Sequence, residues 1–363
     1  MAKQKSITHM IPALFFAKDG IVGGAERYAY ELARHMAKVA PTSLVTFGHQ
    51  SRHFRVEDLE VRVIGNCHFV RGQRSNPIAW SLIREVARAD VVHCHQHHIL
   101  ASSTAALLGM LFRRPIFVSD LGGGGWDISG YIRTDRWFRG HLHISQYSRS
   151  VANHADKDWA HVIYGGIDTE RFSPKQSDQE NTQRAVLYVG RLLPHKGVNY
   201  LVEGVPDDVP LRLVGKPYNV DYLKLLKTLA EGKRVSFEHD CTDAELIAAY
   251  QECLCVVLPS VYRTILGQES RVPELLGQTL LEGMACGVPA ICSDVASMPE
   301  VVEDGVTGFV VPPNDPEALR EKIVWLIEHP AERQRMGLAA RERVLNHFTW
   351  DVVVRRCLEV YGN

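Results

Sequence analysis

The feature that most constrains the fold is a regular alternation of short apolar segments with longer segments of helical periodicity. In the first half of the chain the apolar segments predict strands at 11–16, 43–47, 61–64, 91–94, 116–119 and 141–144. The segments between them predict helices at 25–38, 77–89 and 102–111. Strands separated by helices of this length form parallel βαβ units with right-handed crossovers. The first half is therefore predicted to be a Rossmann-like α/β domain.

The alternation is interrupted once, at residues 173–184 (SPKQSDQENTQR), which are polar almost throughout and typical of a linker. A second series of strands is predicted at 185–189, 211–214, 235–237, 255–258, 290–293 and 308–311. Helices are predicted at 199–203, 221–231, 243–253, 278–285 and 316–328. The chain of 363 residues also exceeds what one hydrophobic core usually organises. We therefore predict an α/β protein of two domains, 1–172 and 183–349.

Charge is distributed unevenly between these halves. The whole chain is nearly neutral, with 41 basic and 42 acidic residues. Residues 1–168 hold 20 Lys and Arg against 14 Asp and Glu, whereas residues 169–363 hold 21 against 28. Thirteen of the 17 histidines also lie in the first half. One interpretation is that the first domain meets an anion or an anionic surface. The alternative is an uneven distribution of solvated charge that has no function.

Cysteine usage and hydropathy bear on the compartment. The eight cysteines show no spacing typical of a disulfide framework, which favours reduced thiols in a cytosol. The N-terminal apolar patch is broken by Pro12, which argues against a signal peptide. No apolar run reaches the roughly 20 residues of a membrane span. We expect a cytoplasmic protein that can still lie against a membrane.

Two glycine-containing turns are candidate anion sites. Gly23 and Gly24 precede the first helix, whose N-terminal amides and dipole attract anions. The segment 190–197 (GRLLPHKG) follows the first strand of the second domain, and there Arg191 and Lys196 bracket a short turn. Two such cations can hold a diphosphate without a metal. For Gly23 and Gly24 the alternative is a structural tight turn. For the segment 190–197 it is an ordinary solvated loop.

The segment 273–289 (PELLGQTLLEGMACGVP) carries two glutamates separated by seven residues. Glu282 lies in an apolar helical stretch, where a buried carboxylate needs a partner such as the hydroxyls of a ribose. Glu274 precedes the helix and is placed to hydrogen-bond a sugar. The helix N-terminus between them would face a phosphate. The alternative is an amphipathic helix with two incidental glutamates.

Five motifs occur in a recognisable order: G-G-A-E-R at 23–27, Y-G-G-I-D-T-E-R-F-S-P at 164–174, V-G-R-x4-K-G at 189–197, the spaced glutamates, and G-x-T-G-F-V-V-P-P at 305–313. In this order the chain resembles, over essentially its whole length, the retaining nucleotide-sugar glycosyltransferases of family 4. The resemblance implies the GT-B architecture, in which two Rossmann-like domains face each other across a central cleft. It also implies that a final helix, at about 350–363, packs back on the first domain.

The resemblance further implies a hexosyl transfer from a UDP- or GDP-linked sugar, with retention at the anomeric carbon. The acceptor would be a glycan, a lipid-linked molecule or a small molecule, as in cell-surface polysaccharide or glycoconjugate synthesis. The resemblance implies that the enzyme needs no metal and no other cofactor, and that nucleic acid is not a partner. With the basic first domain, the resemblance favours an anionic or lipid-linked acceptor and a peripheral contact with the inner membrane face.

Site residues follow from the same resemblance. Glu274 would contact the transferred sugar, Gly23 and Gly24 would face the phosphates from across the cleft, and Asp120 would act near the reacting carbon. The donor would be held by Arg191, Lys196, Gly215, His239, Gly277, Gln278, Thr279 and Glu282. His239 stands where relatives often carry glycine, which leaves the base of the donor open.

The chain departs from the family pattern at two places. Leu121 falls where the family often has a histidine near the reacting sugar, so Asp120 or Asp127 would have to substitute. Residues 262–271 (YRTILGQESR) form an insertion beside the donor sugar, either a determinant of selectivity or a surface loop.

Two other functions are compatible with parts of the sequence. The run 93–98 (HCHQHH) is similar to the H-x-H-x-D-H zinc motif of metallo-β-lactamase-like hydrolases, and such a density of imidazoles can hold zinc. A sugar-nucleotide-binding protein without turnover would explain the missing histidine. The alternation into two domains argues against the first, and the presence of Glu274, Arg191 and Lys196 argues against the second.

Overall fold

The protein is described by a computed structural model, which covers residues 4–12, 23–122, 125–175 and 184–362. The chain divides into two compact units, one of residues 1–166 with 350–363 and the other of residues 167–349. Each unit is a Rossmann-like α/β domain built on a mainly parallel sheet. Residues 167–172 thus group with the second unit.

Eight described strands form the sheet of the first unit, in the order β10-β9-β8-β7-β1-β2-β4-β3. Only β3 runs antiparallel to its neighbour. A two-stranded ribbon of β5 and β6 lies apart from the sheet. The strands are β1 (Ile7–Met10), β2 (Thr42–Phe47), β3 (Arg52–Val56), β4 (Leu59–Ile64), β5 (His68–Phe69), β6 (Pro77–Ile78), β7 (Val91–Cys94), β8 (Ile116–Val118), β9 (Gly140–His143) and β10 (Ala160–Val162).

Helices cover the apolar side chains of this sheet. They are α1 (Gly24–Ala37), α2 (Leu82–Arg88), α3 (Leu100–Phe112), α4 (Gln146–Val151) and the C-terminal α12 (Trp350–Gly362). One core cluster packs α2 and α3 against β2 and β7. Another packs α1 and α12 against Ile7, Val91 and Leu142. Since α12 follows residues of the second unit in sequence, its apolar face completes the first unit's core.

The second unit has a described sheet of six parallel strands in the order β13-β12-β11-β14-β15-β16. Its strands are β11 (Val186–Val189), β12 (Leu211–Val214), β13 (Val235–Glu238), β14 (Cys255–Leu258), β15 (Ala290–Ser293) and β16 (Gly308–Val311). Its helices are α5 (Val198–Gly204), α6 (Val220–Leu229), α7 (Asp243–Glu252), α8 (Gln278–Ala285), α9 (Met298–Val301), α10 (Pro316–Glu328) and α11 (Pro330–His347). Because every strand is parallel, the loops after β11, β12 and β14 emerge at one edge.

Several boundaries differ from those predicted. The first strand is Ile7–Met10, which pairs with both β2 and β7, and not 11–16. Pro12 has no N–H to continue the ladder, and residues 13–16 lie outside the described part of the chain. The predicted helix 77–89 starts only at Leu82, because Pro77 and Ile78 pair with β5. The predicted linker is described only at residues 173–175 and 184.

Several elements had no counterpart in the prediction, among them β3, β10 and α11. β3 is polar and exposed, and its pairing with β4 rather than its own composition makes it a strand. β10 has only three residues. Helix α11 is rich in charged residues and buries only a narrow stripe of Met336, Gly337, Ala340 and Val344. None of the described helices combines the length and the apolar content that a membrane span requires.

Candidate active site

The site in the second unit is built on two loops that touch at the ends of β11 and β12. The N–H of Leu192 donates to the carbonyl oxygen of Lys216 at 3.0 Å. Gly215 has φ +149°, and a Cβ placed there would lie 1.9 Å from the carbonyl oxygen of Gly190. Glycine is therefore required at position 215 for both its backbone conformation and the close approach of the two loops.

Lys196 and Glu274 form an ion pair beside these loops. The Nζ of Lys196 is 2.6 Å from Oε2 of Glu274 and 3.4 Å from the carbonyl oxygen of Pro273. The two side chains are 12% and 17% exposed. Loss of either partner would leave the other charge poorly compensated in a largely buried place. The pair thus fixes a cation and a carboxylate side by side, although the two residues are 78 positions apart in sequence.

Helix α8 begins at Gln278, four residues after Glu274. Gly277 precedes it in the left-handed conformation, with φ +86°, and among the described residues no side chain caps this end. Gln278 and Thr279 form the first turn, where backbone amides point out of the helix. The N-terminus of α8 consequently carries the partial positive charge that attracts an anion.

Glu282 has a partner that the sequence did not suggest. The phenol of Tyr250, on α7, donates to Oε2 of Glu282 at 2.7 Å. Tyr250 is fully buried, and burial followed by the nearby Glu282 charge raises the pKa of its phenol. The phenol thus stays protonated and holds the carboxylate in position, so a ribose would be an additional partner. Only the packing of α7 against α8 brings the two residues together.

The predicted residues on the neighbouring loops are also brought together. Nδ1 of His239 lies 2.8 Å from the carbonyl oxygen of Gly215. Because a carbonyl only accepts, Nδ1 carries the proton and Nε2 the lone pair of a neutral ring. Arg191 is exposed, while its carbonyl oxygen accepts a bond of 2.9 Å from the phenol of Tyr188. The turn containing Arg191 is therefore held from beneath while its guanidinium faces solvent.

His195 was missed by the sequence analysis, although it lies within the predicted motif. Its pKa is lowered first by burial and then by the positive charges of Lys196 and Arg191. The imidazole is accordingly neutral at pH 7. Three basic side chains in six residues thus provide two permanent cations and one neutral donor or acceptor.

In the first unit, Gly23 and Gly24 begin helix α1. Gly23 is the N-cap in an extended conformation, without a side-chain cap hydrogen bond among the described residues. A Cβ on Gly24 would meet no atom of the described residues within 4 Å. Residues 13–22, which include the rest of the glycine turn, lie outside the described part of the chain.

Asp120 follows β8 and is partly exposed. Its Oδ2 lies 4.0 Å from Nε2 of His98, and its Oδ1 accepts from the N–H of Gly122 at 3.3 Å. Partial burial raises the pKa of Asp120, against the opposing effects of His98 and this hydrogen bond. The alternative, Asp127, is only 4% exposed and accepts from Ser103 Oγ and Ser129 N–H, so it stabilises a turn.

The histidine run 93–98 is divided between different surroundings. His93 and His95 lie against His9, whereas His97 lies against His141 in a separate group. His98 is exposed and hydrogen-bonds Ser129. Strand β7 ends at Cys94, so His97 lies beyond the strand and does not continue the face on which His93 and His95 lie. The run therefore does not gather into the single metal centre of the hydrolase hypothesis.

The insertion at 262–271 folds into a small hairpin. Arg263 pairs with Glu269, and the N–H of Thr264 donates to Gln268 at 2.8 Å. The phenol of Tyr262 accepts from the N–H of Ala296 at 2.8 Å. Ile265 and Leu266 at its tip are 43% and 48% exposed. The insertion is thus an ordered element that presents apolar side chains to solvent.

Comparison with protein families assigns the chain. A model described as Glycosyltransferase Family 4 matches residues 22–171, and one described as Glycosyl transferases group 1 matches residues 169–343. The two matches together span both units. The chain is a glycosyltransferase of the family 4 type.

Curated relatives of this glycosyltransferase agree with that assignment. It is 29% identical over 316 residues to an alpha-maltose-1-phosphate synthase of Mycobacterium tuberculosis, covering 75% of this chain and 79% of the relative. It is also 29% identical to a GDP-mannose-dependent phosphatidylinositol monomannoside mannosyltransferase of Mycolicibacterium smegmatis, covering 69% and 72% of the two chains.

Solved structures show that this glycosyltransferase has the GT-B fold, with two Rossmann-like domains. Anabaena HepE, solved with UDP and glucose, superposes with a TM-score of 0.72 at 19% identity, covering 99% of both chains. A sucrose-phosphate synthase of Thermosynechococcus elongatus gives 0.69 at 19% identity, covering 99% of this chain and 98% of that one.

Proposed function

We propose that this glycosyltransferase moves a hexosyl group from a UDP- or GDP-linked sugar to its acceptor, with retention at the anomeric carbon. The observation that carries the proposal is the Lys196–Glu274 pair at 2.6 Å. It places a cation suited to a diphosphate beside a carboxylate suited to sugar hydroxyls. Donors of this class are supported by the GDP-mannose-dependent relative and by Anabaena HepE, which was also solved with UDP-glucose.

In this proposal the diphosphate is bound by Lys196, Arg191 and the N-terminus of α8. The exposed guanidinium of Arg191 is free to form a bidentate contact with phosphate oxygens. The amides around Gly277 to Thr279 add hydrogen bonds and the positive end of the helix dipole. Together they neutralise most of the charge of a diphosphate. The binding step therefore needs no metal ion.

The sugar and the nucleoside are assigned to neighbouring groups. Glu274 accepts hydrogen bonds from hydroxyls of the transferred sugar, and Glu282 accepts them from the ribose. The bond from Tyr250 to Glu282 supports this assignment, because it orients the carboxylate before the donor arrives. Gly215 and His239 lie where the base would bind, and Nε2 of His239 offers an acceptor to it.

The chemistry follows from the charge that develops during transfer. Breaking the bond between sugar and diphosphate creates an oxocarbenium-like sugar and a more negative phosphate. Lys196 and Arg191 stabilise that phosphate as its charge grows. The leaving phosphate deprotonates the acceptor on the same face of the sugar, which gives retention. Because Leu121 stands where the family often has a histidine, we propose that the neighbouring Asp120 takes over its part, with a carboxylate that favours the positive sugar.

The nucleotide is identified by thermal stabilisation. We expect one of UDP, GDP and ADP to raise the melting temperature far more than the other two. A ligand at 100 times its Kd adds about 2.7 kcal/mol to the free energy of unfolding. The matching sugar nucleotides, tested next for hydrolysis and transfer, would show turnover, and NMR of the anomeric proton would show retention.

The outcomes distinguish the alternatives. Stabilisation by a nucleotide without any transfer or hydrolysis would favour the binding protein without turnover. Equal, negligible shifts from all three nucleotides would contradict the assigned donor site. An inverted anomeric configuration in the product would refute the retaining mechanism while leaving the donor site intact.

For the acceptor we propose a glycan, lipid-linked or other small molecule that binds to the first unit, with Gly23 and Gly24 of α1 as candidate contacts for an anionic group.

The surface of the first unit also suggests a membrane contact. Met110 and Leu111 of α3 are 53% and 72% exposed. Beside them lies an open cavity of about 780 Å³ whose lining includes Arg113, Arg114, Arg136 and Arg139. Apolar side chains next to arginines fit the interface of an anionic membrane.

We expect this surface to bind vesicles that contain an anionic phospholipid, and Leu111→Glu to weaken that binding several-fold, since it adds a negative charge where an apolar side chain would enter the interface. Sedimentation with vesicles measures the bound fraction. Leu338→Glu, at an exposed leucine of the second unit (64% exposed), is the matched control. Equal binding of the two variants and the unmodified protein would refute the contact.

The proposal places the enzyme in the cytoplasm, against the inner face of the membrane. All eight cysteines are unpaired, and six of them are buried. Free thiols are the state that a reducing cytosol maintains. Polysaccharide or glycoconjugate synthesis at that surface is the process in which such an enzyme would take part.

A further inference from the structure

The first unit contains a second group of histidines that the proposed reaction does not use. His141 and His143 lie on one face of β9, and His154 lies in the loop between α4 and β10. All three side chains are buried, with exposures of 3%, 4% and 7%. One ligand atom from each lies within 4.8 Å of the others. Three imidazoles therefore converge from two segments of the chain.

The hydrogen bonds around this group fix where the lone pairs are. Nε2 of His154 lies 3.5 Å from Oδ1 of Asp135, and Nε2 of His141 lies 3.0 Å from the carbonyl oxygen of Asp135. Both oxygens accept only, so each Nε2 carries the proton and each Nδ1 the lone pair of a neutral ring. Residue 135 thus sets the tautomers of two of the three histidines.

The rings of His143 and His154 share a hydrogen bond that an ion bound to both nitrogens would replace with little movement of either ring. Nδ1 of His154 lies 3.1 Å from Nε2 of His143. Two nitrogens bound to one tetrahedral zinc, each at 2.0–2.1 Å, are about 3.3 Å apart. The carboxylate of Asp135 behind His154 matches the carboxylate–histidine–metal arrangement, in which the outer carboxylate orients the ligand.

The imidazole rings of this group are in the neutral form that can bind a metal ion. Burial lowers the pKa of His141 to about 4 and that of His143 to about 3. The rings are therefore neutral at pH 7, as a metal ligand must be. The group His9, His93 and His95 is less suitable, because both ring nitrogens of His93 already hydrogen-bond, to Tyr361 and Ser119.

We propose that His141, His143 and His154 bind one divalent transition-metal ion of the zinc class, with Asp135 as the orienting carboxylate. Imidazole nitrogens suit zinc, copper and nickel. The ion would cross-link β9 to the loop that carries His154. Its role is structural, since the diphosphate is assigned to Lys196, Arg191 and α8 in the second unit.

The test uses the full-length protein, stripped with chelator and then titrated with Zn²⁺. We expect one tightly bound equivalent, a rise in melting temperature, and the visible absorption of tetrahedral Co²⁺ on substitution with cobalt. His143→Gln should abolish the tight site. Asp135→Asn, a milder change, should weaken zinc binding about 10- to 100-fold. His53→Gln, at a histidine 68% exposed, is the matched control and should change nothing.

Three results would overturn the proposal. They are the absence of stoichiometric zinc in the unmodified protein, unchanged affinity in both His143→Gln and Asp135→Asn, and loss of zinc in His95→Gln with retention in His143→Gln. Asp135→Asn keeps the size of the side chain, so the test does not depend on His143→Gln folding. Activity is not the readout, and the result is independent of the donor assignment.

Discussion

Lys196→Ala is expected to lower kcat for sugar transfer about 100- to 1,000-fold, which is the usual cost of losing one donor aimed at developing negative charge. The ammonium of Lys196 is held 2.6 Å from Glu274 and is only 12% exposed, so water replaces it poorly. KM for the donor should rise as well, since the same cation binds the diphosphate of the ground state. Initial rates with the sugar nucleotide found by thermal stabilisation measure both constants.

Lys224→Ala is the matched control for this prediction. Lys224 also forms an ion pair in the second unit, with Asp221 at 3.4 Å, but is 74% exposed. Exposed pairs contribute at most about 1 kcal/mol, so neither rate nor stability should change much. A kcat for Lys196→Ala within threefold of the unmodified enzyme would contradict the assignment of the diphosphate to Lys196.

A structural role of the pair can be separated from its catalytic role. Lys196→Ala leaves the carboxylate of Glu274 without its cation and should lower the melting temperature. The double variant Lys196→Ala with Glu274→Gln removes that unpaired charge and should recover stability. Activity should stay low in the double variant. Recovery of both would show that the pair only stabilises the fold.

The second large effect is a loss of stability of the first unit in acid. His9, His93 and His95 are at most 1% exposed. Burial lowers the pKa of His9 to about 3, and burial with their mutual repulsion puts the pKa values of His93 and His95 well below 6.5. The surrounding groups are the hydroxyl of Ser119 and the phenols of Tyr28 and Tyr361. Burial raises the pKa of both phenols, so no negative charge there favours an imidazolium.

The direction of the pH dependence follows from the difference in proton binding between the folded and the unfolded chain. The unfolded chain binds protons at these histidines below about pH 6.5, whereas the folded unit does not, so the stability present above pH 6.5 is lost as the pH falls toward 3. For His9 the loss between pH 7 and pH 5 is about 2 kcal/mol, and His93 and His95 add losses of the same sign. A loss of about 2 kcal/mol is already a large fraction of the stability of a typical domain. Urea unfolding followed by circular dichroism at pH 7 and pH 5 measures it.

Substitution of one histidine tests the origin of this pH dependence. His9→Asn should reduce the loss in stability between pH 7 and pH 5 by about 2 kcal/mol, the share of this one group, whatever its effect at pH 7. His53→Gln should leave the loss unchanged, since His53 is 68% exposed. The same pH dependence in His9→Asn as in the unmodified protein would refute the role of this group.

Much of the fold follows from local sequence pattern. Parallel strands buried on both faces are continuous apolar runs, as in Val91–Cys94 and Cys255–Leu258, and both were predicted at their observed positions. Strand β3 could not be predicted in this way, because its residues are exposed and polar and only β4 makes them a strand. The first strand was misplaced because Thr8 and His9 interrupt the apolar pattern of Ile7–Met10, although these residues pair with both β2 and β7.

Parts of the candidate site were also visible as local signals. Gly277, Gln278 and Thr279 stand at the start of a helix, and Arg191 and Lys196 follow a strand, because helix ends and strand ends have characteristic residues. The contacts of these residues were not visible. The pairing of Lys196 with Glu274 and that of Tyr250 with Glu282 join residues 78 and 32 positions apart.

The sequence by itself determined two Rossmann-like domains, a family 4-type glycosyltransferase and the identity of the candidate donor residues, because hydrophobic periodicity and turn chemistry act over a few neighbouring residues. Only the tertiary structure decided which charges pair, which carboxylate a buried phenol orients, and how the histidines divide into separate groups. His93 and His97 are four positions apart, yet they face different neighbours. The physical reason is that partners of buried polar groups are chosen by the packing of distant elements, which no local pattern records.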